Sequence, residues 1–279
     1  TQVVLARRHG ALLEEAAGCG LEMLPLGPAT LAEEARRADL IHAHDARVHT
    51  LAALLVRRLP LVVSRRVAFP IGAGPLSRWK YARATRFLAV SEFVQSRLVE
   101  AGVARERISV VYDGVALPVR NNSAPRRRVV VAPATEDPQK GSRLAEEACR
   151  AAGVELKFSS RLEDDLPGAG LFLYLSYCEG LGSGILLAMA HGAPVVASRT
   201  GGIPEIVEHG RTGLLVENSS PAVAAAIRAV LADPSAAEQR AEAACRQVLE
   251  RFTDAIMVSQ TERAYQLALS SQPSTLSQS

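Results

Sequence analysis

Aromatic residues make up only 4% of the 279 residues: one Trp, five Tyr and six Phe. That scarcity argues against nucleic acid as a partner, because single-stranded surfaces rely on aromatic platforms for base stacking. Cysteine is as sparse. Cys19, Cys149, Cys178 and Cys245 stand far apart with no Cys-x-x-Cys pair, a pattern of reduced, mostly packed thiols rather than of a disulfide frame or zinc site. No apolar run approaches the roughly 20 residues of a membrane helix, and the chain opens on TQVVLARRHG rather than on a signal segment. A cytoplasmic location is the expectation. No Gly-x-Gly-x-x-Gly with a downstream acid follows the first strand-like run, which disfavours a dinucleotide dehydrogenase.

The 48% hydrophobic content is ample for burial, and the length exceeds what one core usually spans, so two domains are expected. Strand-like runs fall at 3–6, 22–26, 40–43, 61–64, 87–90 and 108–112, then at 129–132, 155–158, 171–175, 195–197 and 214–216. Helical periodicity lies between and after them at 11–17, 31–38, 48–59, 92–101, 142–152, 221–232, 236–252 and 255–269. Such alternation predicts parallel sheets with crossover helices. The polar, turn-forming stretch 113–125 is the natural linker, dividing a first domain at 1–117 from a second at 126–252. The tail after residue 269 has no apolar residues to bury apart from one leucine, and disorder is expected there.

Net charge is +3, but residues 1–125 hold 17 Lys and Arg against 11 Asp and Glu. Arg57, Arg58, Arg65, Arg66, Arg78, Lys80, Arg83 and Arg86 concentrate that excess. Two readings stay open, a solvated face and a surface for anionic lipid headgroups or an anionic acceptor. His42, His44 and His49 resemble metal spacing superficially, but no further ligand confirms a zinc site. Glu163, Asp164 and Asp165 read as a solvated loop.

The stretch 179–216 constrains function most. Gly180 to Gly184 form a glycine-rich turn into a short apolar helix stopped by Gly192, and Thr200, Gly201 and Gly202 turn into a second helix with Pro204 near its start. Two helix N-termini, each with free amides and partial positive charge, suit a phosphate. Ser176, Glu179-Gly180-Leu181-Gly182, the run from Ala188 to Ser198, Gly201-Gly202-Ile203-Pro204-Glu205 and Gly210-Arg211-Thr212-Gly213 together resemble the donor half of the family-four retaining glycosyltransferases. The first half resembles their acceptor domain through VVSRRVAFP and the segment from Arg78 to Val115.

The resemblance implies an α/β protein of the GT-B type, two Rossmann-like doubly wound parallel-sheet domains facing across a cleft. It implies transfer of a hexose, with retention, from a nucleotide-diphosphate sugar to a glycan or lipid-linked acceptor of the lipopolysaccharide and cell-envelope type, without a metal. The implied catalytic residues are Glu179, against the donor sugar, Lys140, on the diphosphate, and Arg66, where the family often has a histidine. Donor binding falls to Lys140, Gly182, Ser183, Gly184, Gly201 and Gly202, and to the positions of Leu187 and Thr135. Leu187 stands where the family has a second glutamate for the ribose, and Thr135 where it has a second cation. Both departures keep a second reading open, a weakened member that binds glycan or a partner without turnover. The family's opening βα unit has no counterpart, since 3–6 looks like its second strand. The first sheet is therefore expected to lack a central strand. The resemblance also implies that helix 255–269 packs back on the first domain, and the basic half suggests peripheral contact with the inner membrane face.

Overall fold

Strands rich in Val, Ile and Leu alternate with helices throughout the computed structural model, which describes residues 2–6, 19–118 and 128–271. The helix read at 11–17, part of the linker and the tail beyond 271 lie outside the described residues. In the first half β1 (Val3–Ala6), β2 (Glu22–Pro25), α1 (Pro28–Glu34), β3 (Ile41–Ala43), α2 (Ala46–Leu55) and β4 (Leu61–Arg65) lead to α3 (Pro75–Arg83). Then follow β5 (Arg86–Ala89), α4 (Glu92–Glu100) and β6 (Ile108–Val110). Asp45 caps α2, its Oδ1 accepting from Arg47 N at 2.7 Å and Val48 N at 2.8 Å, so two amides without helical partners are satisfied. The sequence reading contains no α3, because that helix buries no residue and carries no apolar stripe toward a core.

The second half runs β7 (Val129–Pro133), α5 (Ser142–Ala152), β8 (Glu155–Ser159), α6 (Leu162–Asp165), β9 (Leu171–Tyr174), α7 (Ser183–Ala190), β10 (Val195–Ser198), α8 (Ile203–Ile206) and β11 (Leu214–Val216). Helices α9 (Ser220–Ala232), α10 (Pro234–Arg251) and α11 (Asp254–Ser270) complete the chain.

Every strand pairing is parallel. The second half forms one sheet in the order β11-β10-β9-β7-β8, a doubly wound arrangement with β9 and β7 central. The first half is divided: β1 pairs with β2, and β3-β4-β5-β6 form a separate sheet. Among the described strands β1 and β3 each keep one edge unpaired, at the place where a continuous doubly wound sheet has a strand between them.

The halves meet along an apolar seam, with Val90 and Val94 of the first in the same buried cluster as Leu181 and Ile203 of the second. The two chain crossings lie side by side, since Val115 N donates to Phe252 O at 3.0 Å and Val115 bridges Thr253. Gly114 permits this approach: a Cβ there would sit 2.6 Å from Asp254 Cα. Beyond the crossing, α11 packs Ala264 and Ala268 on Val62, Leu88 and Val111 of the first half. Tyr265 OH lies 2.7 Å from His42 Nδ1, and Ser64 Oγ lies 2.8 Å from His42 Nε2.

Candidate active site

At the C-terminal end of β9 the chain passes through Ser176 toward Glu179. Ser176 is held rigidly: its N–H donates to Ser198 Oγ at 3.0 Å, and its carbonyl accepts from Asn218 Nδ2 at 2.9 Å. Ser198 Oγ in turn donates to Asn218 Oδ1 at 2.5 Å. That closed set leaves no polar group of a buried turn unpaired.

Glu179 is the convergence point. Its Oε2 accepts from Lys140 Nζ at 2.5 Å and from Tyr174 OH at 2.7 Å, while Oε1 accepts from Gly180 N at 3.1 Å. Lys140 comes from a single 3-10 turn, Pro138–Lys140, whose start is capped by Asp137. Gly141 follows at φ +65° and lies so near Leu175 that its Cβ would come within 2.8 Å of the leucine's Cβ. Burial, and then the Glu179 carboxylate, push the Tyr174 phenol far above its ordinary range. The hydroxyl therefore stays protonated and acts as a donor. Thr135 lies on the exposed loop between β7 and Lys140, its Oγ1 accepting from Asp137 N at 3.1 Å.

Gly182, at φ +95°, is the N-cap of α7. The Ser183 and Gly184 amides at the start of this helix have no partner among the described residues, and Ile185 N turns back to Gly182 O at 2.8 Å. These amides carry the helix's partial positive charge toward the Lys140–Glu179 cluster. The second helix start does not offer the free amides read from the sequence. Gly202 N donates to Glu179 O at 3.2 Å, Ile203 N donates to Thr200 O at 3.1 Å, and Pro204 has no amide proton. Gly201 and Gly202 instead let the backbone pack on Glu179 O and Gly180 O, where a Cβ has no room. Leu187 is half-buried and packs against the main apolar cluster.

Arg66 reaches the site from the first half. Its carbonyl abuts Gly180, where a Cβ would collide, and its guanidinium pairs with Asp113 Oδ1 at 2.7 Å. Burial raises the Asp113 pKa, Arg66 opposes that rise and the nearby Glu179 adds to it. Two further contacts fasten the seam. Ser91 Oγ donates to Gly180 O at 2.6 Å and accepts from Val94 N at 3.1 Å as the cap of α4. Glu205 accepts from Glu92 N at 2.7 Å, Phe93 N at 2.8 Å and Tyr112 OH at 2.9 Å. A carboxylate from the second half thus occupies the N-terminus of a helix in the first.

Lys140, Glu179, Gly182, Ser183 and Gly184 come together in the second half, and Arg66 meets them at Gly180. Tyr174, Ser91, Asp113 and Glu205 have no role in the sequence reading. Asp113 stood there as the start of a linker, and a tyrosine five residues before Glu179 has no helical or strand spacing that ties it to a carboxylate. Two of the histidines go elsewhere, His42 to Tyr265 and Ser64 and His49 Nε2 to 3.1 Å from Lys80 O, while His44 packs on the His42 ring at 3.9 Å and has its pKa lowered by burial and then by the nearby Arg66. Asp165 pairs with Lys157 at 2.7 Å and Asp164 with Arg161 at 2.8 Å. Within the basic cluster Trp79 and Tyr81 interleave with cations, but Tyr81 is stacked on Phe87 at 5.4 Å and is not a free platform.

With this geometry, the relatives are informative. Residues 7–117 match the family described as Glycosyltransferase Family 4, and residues 96–233 match Glycosyl transferases group 1. The two matches, both to glycosyltransferase families, together run from residue 7 to residue 233. Alpha-maltose-1-phosphate synthase of Mycolicibacterium smegmatis is 37% identical over 118 residues, 40% of this chain and 30% of the relative. N-acetyl-alpha-D-glucosaminyl L-malate synthase of Bacillus anthracis is 40% identical over 96 residues, 34% of this chain and 25% of the relative. The matches thus span less than a third of either relative's length. The solved structure of Anabaena HepE in complex with UDP and glucose superposes with a TM-score of 0.79 at 20% identity, covering 95% of this chain and 90% of that one. The fold is GT-B, two Rossmann-like domains.

Proposed function

We propose that this protein transfers a hexose from a nucleotide-diphosphate sugar, with retention, to a glycan or lipid-linked acceptor. The observation that carries the reading is the Lys140–Glu179–Tyr174 cluster beside the unpartnered amides of Ser183 and Gly184. In the leaving step negative charge grows on the diphosphate, and a cation with a helix N-terminus stabilises it where it develops. Lys140 turns from Glu179 to the diphosphate, Ser183 and Gly184 donate to its oxygens, and Glu179 accepts from sugar hydroxyls with Tyr174 fixing its orientation. The reading needs no metal. Arg66, anchored on Asp113, faces the acceptor and binds its anionic groups. Domain limits of 1–117 and 126–252 accompany this reading, with a cytoplasmic site of action at the inner membrane face.

HepE is described in complex with UDP and with UDP-glucose, so uridine nucleotides are the first donors to try. Calorimetric titration of UDP, GDP, ADP and their glucose conjugates tests the proposal. Binding of one series, weakened about tenfold or more by Lys140→Met as expected for a lost charged hydrogen bond, supports it. Absence of binding by every nucleotide overturns it. The packing of Leu187 on the core favours the second reading, a weakened member that binds glycan or a partner without turnover; a folded protein that binds no nucleotide sugar, or binds one with no hydrolysis or transfer, is its signature.

A further inference from the structure

Between α10 and the loop after α8 lies a cleft of about 250 Å³, to which neither Lys140, Glu179 nor the Gly182–Gly184 turn contributes. Ala243 makes the room, since one turn before Gln247 it offers only a methyl. At the floor Gln247, 6% exposed, donates from Nε2 to Glu208 Oε1 at 3.4 Å. A carboxylate can only accept, so the amide cannot be reversed, and Gln247 Oε1 is left buried with no hydrogen-bond partner among the described residues. Such an orphan acceptor is costly until a donor reaches it. The rim is cationic. Arg211 is already paired with Glu208 at 2.6 Å, but Arg246 reaches Glu242 only at 4.0 Å, and Arg251 forms no hydrogen bond or ion pair among the described residues. Glu250 also lines the cleft, equally without a partner among them.

We propose that this cleft binds a small phosphorylated polyol, a sugar phosphate in chemical class. Two guanidiniums with no close carboxylate select a phosphate, whose oxygens can accept from both. Glu250 and Gln247 Oε1 select the rest of the ligand: both are acceptors and require donors, which a phosphate dianion lacks and sugar hydroxyls supply. The size agrees, since the cleft falls below the roughly 300–1,000 Å³ of sites for drug-sized ligands. A ligand seated there joins α10 to the loop after α8 and, through Arg251, leans on the seam. The Arg251 guanidinium lies over the Tyr112 ring at 6.0 Å, and Tyr112 OH donates to Glu205, which caps α4. Control of transfer from this cleft rests on the proposed function; the binding itself does not.

Calorimetric titration of the full-length protein with glucose 6-phosphate, glucose and inorganic phosphate, with no nucleotide present, tests the site. Glucose 6-phosphate should bind about tenfold more tightly than inorganic phosphate, and glucose not at all. Arg246→Gln with Arg251→Gln weakens the binding on the order of a hundredfold, about tenfold for each charged hydrogen bond if the two are independent. Gln247→Leu weakens glucose 6-phosphate about fivefold and leaves inorganic phosphate unchanged. Lys140→Met leaves both affinities as they were, which separates this cleft from the proposed diphosphate site. Circular dichroism confirms that the variants fold, and hydrogen exchange of the first α4 amides should slow when glucose 6-phosphate is bound. Overturning results are no binding of glucose 6-phosphate, binding that the paired glutamine variant leaves unchanged, or binding that Lys140→Met removes. Equal affinity for inorganic phosphate, or for glucose, also overturns it, and exchange in α4 that the ligand does not alter overturns the link to the seam.

Discussion

Most glycines of the two halves serve different purposes, Gly114 at the crossing and the open Gly153, Gly168 and Gly210 aside. In the second, Gly141, Gly180, Gly201, Gly202 and Gly213 each lie where a Cβ would meet a neighbour at 3.0 Å or closer. In the first, Gly20, Gly72, Gly74 and Gly102 have nothing within 4 Å. The contrast extends to the sheets, one continuous on the second side and two separate on the first. A glycine required by close approach cannot be exchanged, so its spacing is written in the sequence; one that merely loosens a loop leaves no such trace. The second half is therefore a rigid, self-contained frame, and the first half depends more on α11 and the seam.

Acid should expose that dependence, with the largest effect expected here. His42, buried against Tyr265 and beside His44, has its pKa lowered to about 3, and His49 is lowered to about 4, by burial first and then by Lys80. Both folded values lie below the unfolded value near 6.5, so the unfolded chain takes up protons first as pH falls. The stabilisation is complete above pH 6.5 and is lost progressively down to about pH 3. Each histidine costs about 2 kcal/mol by pH 5, from about 1.4 kcal/mol per pH unit. Hydrogen exchange at pH 5 should show β3, β4 and α11 opening before β7, β9 and β10. A His42→Asn variant whose stability falls just as steeply with acid would break the comparison.

Gly201→Ala attacks the rigid side. The new methyl collides with Glu179 O at a residue held at φ +55°, and overpacking plus left-handed strain cost about 3 kcal/mol. Gly210→Ala is the control: φ is +82° with open space around it, so about 1 kcal/mol is expected. Urea unfolding of the two variants measures the difference, and equal midpoints would show that the Glu179–Gly202 contact is not close-packed.

The strands were legible because apolar runs of four or five residues bounded by turns have few alternatives in an alternating pattern; all eleven appear within two residues at either end. Lys140, Glu179 and the Gly182 turn were legible for the glycine reason given above. What stayed hidden was anything defined by a contact between distant segments. The Glu205 cap on α4 spans 113 residues and the Ser91–Gly180 bond 89, and no local period encodes either. The occupied amides of Gly202 and Ile203 were hidden for the same reason, since a helix start looks alike in sequence whether its amides are free or spent.

Glu205→Gln probes the seam between the halves. One amide oxygen cannot accept from Glu92 N, Phe93 N and Tyr112 OH as the carboxylate does, and loss of charged hydrogen bonds costs about 2 kcal/mol. Faster exchange of the first amides in α4, with β7 and β9 unchanged, is the expected outcome. Uniform loss of protection in both halves would mean that they unfold as one unit and that the contrast is only topological.

The smallest effect is expected from Leu187→Glu, which asks whether the rigid half can be brought closer to its relatives. Leu187 is half-buried on the core cluster one turn after the free amides of Ser183 and Gly184. A carboxylate there surrenders apolar contact and, because it can turn its charge outward, should cost about 1 kcal/mol of stability. If the family's second glutamate serves the ribose, the same change adds a charged hydrogen bond, and donor affinity should rise about tenfold, near 1.4 kcal/mol. Pairing it with Thr135→Arg adds a second cation on the loop before Lys140, with a further gain up to that size if the sites are independent. Calorimetry with the best-binding nucleotide sugar decides the matter. Unchanged affinity in a folded Leu187→Glu protein would show that the ribose lies away from this helix face, and that the departure at this position is packing rather than lost function.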